Sequence, residues 1–541
     1  MNGTFGAFGV ARLGIYAAQS GLDVTGNNIT NINTAGYTRQ RLDLVSLSSS
    51  ASDKYASIYN VRIGQGVLTA GVVQLRDPGL DLQYRNASAN VGSASQKLTG
   101  LDDIASILDE VGKGSTTEDQ DDGVILRQMN DLRDLISKAL TNGIDGYDGM
   151  IRESADALCT LFNQYAKDLE DLQVKYETQL EQNTTEINNI LENIQKLNET
   201  IREADIRGDA ALELRDERNR LLDQLSGYMK IDVKYSMEDL GAGLEVEKLT
   251  VSLGTGDKNV LIDGVYGSKI GINMADPNYN VQLYALRNLD GEKLDNNHTD
   301  PVTLGDSDLY GSLQSVRELL TESGEYSAAD YVANVDDEAG SKRGIPYYRK
   351  ALDNLAQEFA EQMNKLNMPG TGVEGEGVLF SMGSNNNDTT AITAGNIAVS
   401  KDWNDQKVSM IATQDPNASS GDNSNLAAFL DLFNKVQEFD PKAIVPGTGN
   451  NDAAVGEPYK GTFEDMLLHI QSTLAEDQMS TAAVLTNYTV TQNELYNNRE
   501  SVSGVDLNDE ATNLMVYQKA YTAACRLMTT LEEALDALMA M

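Results

Sequence analysis

Residue types that commonly perform chemistry are few in this chain, and their spacing does not suit it. Two histidines occur in 541 residues. His298 lies in a polar turn and His469 on an expected helix, and neither has a partner at metal-ligand or triad spacing. Each is expected to be hydrogen-bonded or exposed rather than reactive. Two cysteines, Cys159 and Cys525, stand far apart on expected apolar helix faces and read as buried thiols, not as a disulfide or a nucleophile. Gly64-x-Gly66 lacks the Lys-Ser/Thr and the helix that follow a phosphate loop. Gly254-Thr255-Gly256-Asp257-Lys258 has the composition of a hairpin turn. The acidic run Glu118, Asp119, Asp121 and Asp122 does not fit the spacing of a helix-loop-helix calcium loop and is expected to be solvated charge. No nucleophile elbow, Walker loop or zinc motif is present. The expectation is no enzyme, no metal and no cofactor.

Charge narrows the partners. Lys plus Arg number 42 against 82 Asp plus Glu, a formal net charge of −40, and no basic patch is dense enough to follow a phosphate backbone. Nucleic acid and anionic membrane are disfavoured. Hydrophobic residues make up 40% and charged residues 23%, which suits folded domains rather than disorder. No stretch reaches the roughly 20 apolar residues of a membrane span, and the first residues lack the basic and apolar regions of a signal peptide. On these rules membrane insertion is not expected and the chain reads as cytoplasmic, unless a dedicated export route needing no cleaved signal carries it out.

With chemistry set aside, the organising elements are the two ends. Phe8, Ala11, Ile15, Ala18, Leu22, Thr25, Ile29 and Ile32 fall in a 3,4 alternation that keeps one stripe on one helix face. Leu507, Ala511, Leu514, Gln518, Tyr521, Cys525 and Met528 repeat that spacing, and Leu531, Leu535 and Leu538 continue it. A large side chain gains about 1.5–3 kcal/mol when fully buried, whereas ordering a backbone residue costs roughly 1–2 kcal/mol. Neither end is therefore expected to be stable alone, and the two seams are predicted to cover each other and copies from neighbouring molecules.

Between the ends, Asn33-Thr34-Ala35-Gly36 signals a turn, residues 42–75 read as short strands, and Asp77-Pro78 marks a boundary before helical spacing over 79–112. Residues 150–205 carry the longest seam, through Leu158, Phe162, Leu169 and Tyr176, a one-residue slip over 179–186, and then Ile187, Ile194 and Ile201. Gly208-Asp209 is expected to break this rod, and Leu214 to Leu225 to return antiparallel to it. Residues 231–310 alternate as strands. Helices resume at 311–320 and 345–366, separated by a polar insertion over 321–343. Residues 371–420 read as an irregular or β-containing insert around Trp403. Gly421 to Leu426 is expected to cap the next helix through Ser or Asn, and a long helix over 462–496 leads to Asp506, the expected N-cap of the last one.

The run Ser20-Gly21-Leu22-Asp23-Val24-Thr25-Gly26-Asn27-Asn28-Ile29-Thr30-Asn31-Ile32-Asn33-Thr34-Ala35-Gly36-Tyr37-Thr38-Arg39-Gln40 closely resembles the N-terminal motif of bacterial flagellar axial proteins of the rod, hook and hook-associated type. Thr30 and Ala35 depart from it, where that family more often has Ala and Pro. Arg499 to Glu510 with Ala511-Thr512-Asn513-Leu514 and Tyr517-Gln518-Lys519-Ala520-Tyr521 closely resembles the C-terminal signature. Ile187 to Ile201, Gly208 and Leu214 to Ser226 are similar to the long helical region of the hook-associated members, which shorter rod and hook proteins lack. At one position where the family often has His, this chain has Asn367.

The resemblance implies an α+β protein. Paired terminal helices form a coiled-coil-like assembly domain (1–85 with 500–541), and a helical rod domain combines 86–230 with 311–370 and 421–499. A β-rich insert occupies 231–310 and a second insert 371–420. It implies a structural flagellar subunit, exported to the cell exterior without a cleaved signal peptide, that joins hook to filament by self-assembly. Implied partners are further copies of itself, the hook protein, a second hook-filament junction protein, and a cytoplasmic export chaperone on the C-terminal helix. The alternatives are a hook or rod subunit, or an axial protein whose acidic insert (231–460) is an enzyme or a surface-binding module. The interface is expected at Phe8, Ala11, Ile15, Ala18, Leu22, Ile29, Ile32, Leu507, Leu514, Tyr521, Met528, Leu531 and Leu535.

Overall fold

The computed structural model describes residues 4–47, 66–108, 123–241, 243–254, 259–294, 300–334, 338–419, 421–445 and 453–540. The acidic run at 118–122, the glycine pair's first member Gly64, the turn residues 255–258 and His298 lie outside them.

Helix α1 (Thr4–Thr30) ends just before the turn signal. Strands β1 (Gln40–Ser46) and β2 (Val67–Gln74) then pair antiparallel. Asp77 accepts from the Gly79 and Leu80 amides, and Pro78 occupies the first turn, where a missing N–H costs nothing, so α2 (Pro78–Ile107) begins there. Helix α3 (Val124–Asn142) leads to α4 (Asp148–Arg207), whose 60 residues span about 90 Å at 1.5 Å per residue. The apolar stripe of α4 does not lapse over 179–186. Leu180 and Thr184 are buried within it, and the Thr184 hydroxyl is satisfied by the Leu180 carbonyl at 2.9 Å. Gly208 ends α4 in the left-handed region at φ +79°, which a side chain disfavours. Helix α5 (Leu212–Tyr228) returns antiparallel, with Arg215 on Asp205 at 2.8 Å and Arg218 on Asn198 at 3.1 Å.

Strands β3 (Ile231–Asp239), β4 (Glu245–Leu253), β5 (Val260–Asp263) and β6 (Tyr266–Gly267) form one antiparallel sheet in that order. Strands β7 (Ile270–Ile272), β8 (Val281–Leu283) and β9 (Val302–Thr303) form a second. Their buried faces, including Val251, Leu253, Leu261 and Ile262, belong to the same apolar core as Ile190 and Ile194 of α4. Asn188 fastens the second sheet to that helix, its amide donating to the Ile270 carbonyl and accepting from the Ile270 N–H, both at 2.8 Å.

Helices α6 (Gly311–Thr321), α7 (Ile345–Asn367), α8 (Ser424–Asn434), α9 (Phe463–Ser503) and α10 (Leu507–Met539) complete the helical part. The long axis of α9 runs against α2. The polar insertion folds into short helices at Gly324–Tyr326 and Ala329–Asn334 and is pinned by Arg343, which bonds Glu325 at 2.7 Å and Asp477 of α9 at 3.3 Å. Strands β10 (Phe380–Met382) and β11 (Ile397–Val399) pair beside a one-turn helix at Lys401–Asn404. There Trp403 is fully buried, and its indole N–H donates to Asp148 at the start of α4 at 3.2 Å. Asn367 is fully buried and satisfied: its amide donates to the Gly377 and Ser409 carbonyls and accepts from the Ile411 N–H. A short third pair is formed by β12 (Gln437–Phe439) and β13 (Tyr459–Gly461). The start of α8 differs from expectation. Asp422, not Asn423 or Ser424, accepts from the Ser424 N–H, because the Asn423 amide is drawn away to the Leu140 carbonyl.

Candidate assembly interface

Helices α1 and α10 lie side by side within one chain. A Cβ built on Gly14 meets Ala524 at 3.7 Å, and one on Gly21 falls 2.5 Å from the Tyr517 ring. As numbering rises along α1 it falls along α10, so the pair is antiparallel. Gly21 is where the absence of a side chain is required, because it lets Tyr517 lie against the α1 backbone. Gly21→Val is therefore expected to separate the two helices, giving amide hydrogen exchange across 507–539 at least tenfold faster than in the parent while α4 is unchanged. Equal exchange in the variant would show that the glycine contact does not hold the pair.

The expected seam residues of α1 are mostly covered. Ala11 and Ala18 are buried, Phe8, Ile15, Leu22 and Ile29 are half-buried, and only Ile32, past the end of the helix, is exposed. On α10 the outcome is divided. Met528, Leu531 and Leu535 are half-buried, whereas Leu507, Leu514 and Tyr521 face solvent at 55%, 37% and 38% exposure. The residues shown to face α1 are Tyr517 and Ala524, on a stripe adjacent to the one expected. Helix α10 thus carries two apolar stripes. The glycines of α1 select the one bearing Tyr517, and the other remains open together with Met515, Val516 and Leu527. In this 33-residue helix Glu510 alone is buried among the described residues.

The base of the pair is a polar clamp that the seam spacing does not reveal. Asp506 caps α10, accepting from the Asn508 N–H at 2.7 Å, and Glu510, one turn on, receives Arg39 at 2.8 Å. The Arg39 N–H donates to the Ser503 carbonyl at 2.8 Å. Asn28, buried on α1, donates to the Gln40 carbonyl and accepts from the Gln40 N–H and the Tyr37 hydroxyl, so the chain reversal after α1 is held by one amide side chain. From there the contacts pass into the helical part: Thr38 N–H to Asp216 at 3.1 Å, Gln74 to the Leu212 carbonyl at 2.9 Å, and Arg76 to Asp81 at 2.5 Å. Arg499 bonds Asp223 at 2.7 Å and lies 4.1 Å from the Tyr84 ring centre, a cation over an aromatic face. Burial raises the Asp216 carboxyl above its usual value despite the Thr38 hydrogen bonds and the nearby Arg76 charge. For Arg76 burial is the largest single influence and opposes the charge, but the Asp81 bond together with the nearby Asp81 and Asp223 charges outweighs it, and the guanidinium pKa is raised. The motif 20–40 contains Asn28, Thr38 and Arg39, but the partners of Thr38 and Arg39 stand far away in sequence, and no local spacing identifies them.

Of the residues first considered for chemistry, Cys159, Cys525 and His469 lie among the described residues. Cys159 is buried and Cys525 half-covered, both as free thiols, and burial raises the Cys159 pKa. His469 is half-buried and stacks on Tyr459 at 4.3 Å, and burial lowers its pKa. Among the described residues no group of three or more His, Cys, Asp or Glu is placed to hold a metal ion, and no helix is long and apolar enough to cross a membrane.

Residues 127–380 match the family model for the flagellar hook-associated protein FlgK helical domain. Residues 10–38 match that for flagella basal body rod protein, and 498–541 that for the C-terminal part of flagellar basal body rod FlgEFG protein. Flagellar hook-associated protein 1 of Bacillus subtilis (strain 168) is 28% identical over 545 residues, covering 99% of this chain and 98% of that protein. The protein of the same name from Salmonella typhimurium is 23% identical over 603 residues, covering 98% of each. The solved flagellar hook junction protein FlgK from Burkholderia pseudomallei aligns over 56% of this chain and 47% of its own, at 19% identity and a TM-score of 0.40.

Proposed function

Because this chain belongs to the flagellar hook-associated protein family, a family of structural flagellar components, we propose that it joins hook to filament by self-assembly through the α1–α10 pair. The reading rests on the open stripe of α10. In a 33-residue helix with a single buried residue, the stripe bearing Leu507, Leu514 and Tyr521, with Met515 and Val516 beside it, is left exposed by its own chain. Several large apolar side chains at about 1.5–3 kcal/mol each are enough to drive association once neighbours cover them. The interface is then assigned in two parts. Phe8, Ala11, Ile15, Ala18, Leu22, Met528, Leu531 and Leu535 build the pair within a chain, and Leu507, Leu514 and Tyr521 meet the next copy.

The partners on this reading are further copies, the hook protein on one side and a second junction protein on the other, with an export chaperone covering the open stripe before the chain leaves the cell without a cleaved signal. A hook or rod subunit is the weaker reading, since the matches named for rod proteins are confined to the two ends whereas 127–380 matches the hook-associated helical domain. The structural character of the relatives also favours assembly over catalysis in the acidic region.

The test is incorporation of the full-length chain onto isolated flagellar hooks, scored by electron microscopy. The parent is expected to cap the hook ends. Leu514→Asp with Tyr521→Asp, both exposed in the free chain, is expected to keep the parent's circular dichroism and to lower incorporation at least a hundredfold. A parent that does not bind hook ends, or a doubly substituted chain that binds as well as the parent, overturns the proposal.

A further inference from the structure

A second stripe on α10, distinct from the apolar one, carries charge in blocks. Lys519, Arg526 and Glu533 recur every seven residues, with Asp536 a turn further on, and Thr522, Ala523, Thr529 and Thr530 fill the positions between. All are exposed. Lys519 and Arg526 form no ion pair among the described residues, and no acidic residue stands three or four positions from either along the helix. This is unusual in a chain with 82 acidic and 42 basic residues, where basic side chains such as Arg39, Arg76, Arg85 and Arg499 are held by carboxylates. Arg12 of α1, also exposed and without an ion pair among the described residues, lies near the level of Arg526 because Gly14 faces Ala524. The pair therefore shows a positive block followed by a negative block toward the C-terminal end of α10.

We propose that this stripe sets the axial register between neighbouring copies, the positive block at Lys519 and Arg526 of one chain lying against the negative block at Glu533 and Asp536 of the next. The inference rests on the self-assembly reading above and adds to it the partner face and the offset. Two parallel copies in level register place like charges side by side, which is unfavourable. At roughly 1.5 Å per residue, Arg526 is level with Asp536 at a shift of about 15 Å and Lys519 with Glu533 at about 21 Å, so one shift of about 18 Å leaves each pair only about 3 Å out of level, within the reach of these long side chains. The Thr and Ala residues between the charges let two helices approach closely enough for such pairs to form. Exposed ion pairs add little affinity, but like-charge repulsion excludes wrong partners and registers, so the stripe selects geometry while the apolar stripe supplies cohesion.

Incorporation of the full-length chain onto isolated hooks tests this with charge reversal. K519E with R526E is expected to keep the monomer's circular dichroism, since neither side chain has a partner to lose, and to lower incorporation at least tenfold at physiological salt. Adding E533K and D536K to the same chain, which restores opposite blocks with exchanged signs, is expected to return incorporation to within threefold of the parent. The parent's incorporation rate is expected to fall as salt rises, because screening shortens the reach of exposed charges. If the doubly reversed chain incorporates like the parent, or the fourfold chain is no better than the double, the register proposal is wrong, and the Leu514 and Tyr521 result stands on its own. If the parent itself fails to incorporate, both readings fall.

Discussion

Arg39→Met is expected to cost about 3–5 kcal/mol in the docking of the terminal pair onto the helical part, because it strands a buried carboxylate. The Glu510 side chain is 2% exposed and receives Arg39 at 2.8 Å, and α10 has no other buried residue to compensate. Methionine keeps the bulk of the side chain and removes the charge, so packing alone does not explain the loss. The effect should be local. Amide exchange across 507–539 should accelerate toward that of an undocked helix, with exchange in α4 unchanged, and Arg39→Lys should recover part of the protection, since a point charge can still reach Glu510 without the planar fork. Unchanged exchange in the methionine variant would show that Glu510 is satisfied by something other than Arg39.

At the opposite end of α4, Trp403→Ala is expected to lower stability by about 3–5 kcal/mol, the range for removing a fully buried aromatic side chain. Trp403 is wholly enclosed, packs edge-on to Phe380 at 6.0 Å between ring centres, and donates its indole N–H to Asp148. Asp148 also accepts from the Met410 N–H at 2.9 Å, so the tryptophan and the chain after it are fastened to the first turn of α4 together. A thermal melt followed by far-ultraviolet circular dichroism should show an early transition absent from the parent. A melt superimposable on the parent's would mean that the site collapses around the lost ring.

The two predictions mark what the sequence could and could not disclose. The α4 rod was legible because its periodic apolar residues and Gly208 act within one or two turns of the chain. Asp506 was legible as a cap for the same reason, its acceptor lying two residues from the amide it satisfies. The register of α10 was not. Two stripes of similar apolar content lie one position apart, and the choice between them is made by Gly14 and Gly21 on another helix. The clamp was hidden for a related reason: Thr38 and Asp216 are 178 positions apart, and Arg39 and Glu510 are 471. Trp403 stood out by composition alone, and only packing shows that it secures Asp148. At 421–426 the expected Ser or Asn cap is not made: Asn423 stands at the N-cap without a side-chain cap bond, its amide turned to the Leu140 carbonyl by a tertiary contact.

The shared core of α4 has a mechanical consequence. One unbroken helix is bonded along its flank to both β sheets, anchored at its first turn by Trp403, and turned at Gly208 directly into α5, which carries the Asp216 and Asp223 ends of the clamp. A twisting load applied to these sheets therefore reaches the terminal pair along a single spar, the helix turning into α5 at Gly208. On the proposed role between hook and filament, torque carried along this spar passes to the terminal pair through the ion pairs of the clamp.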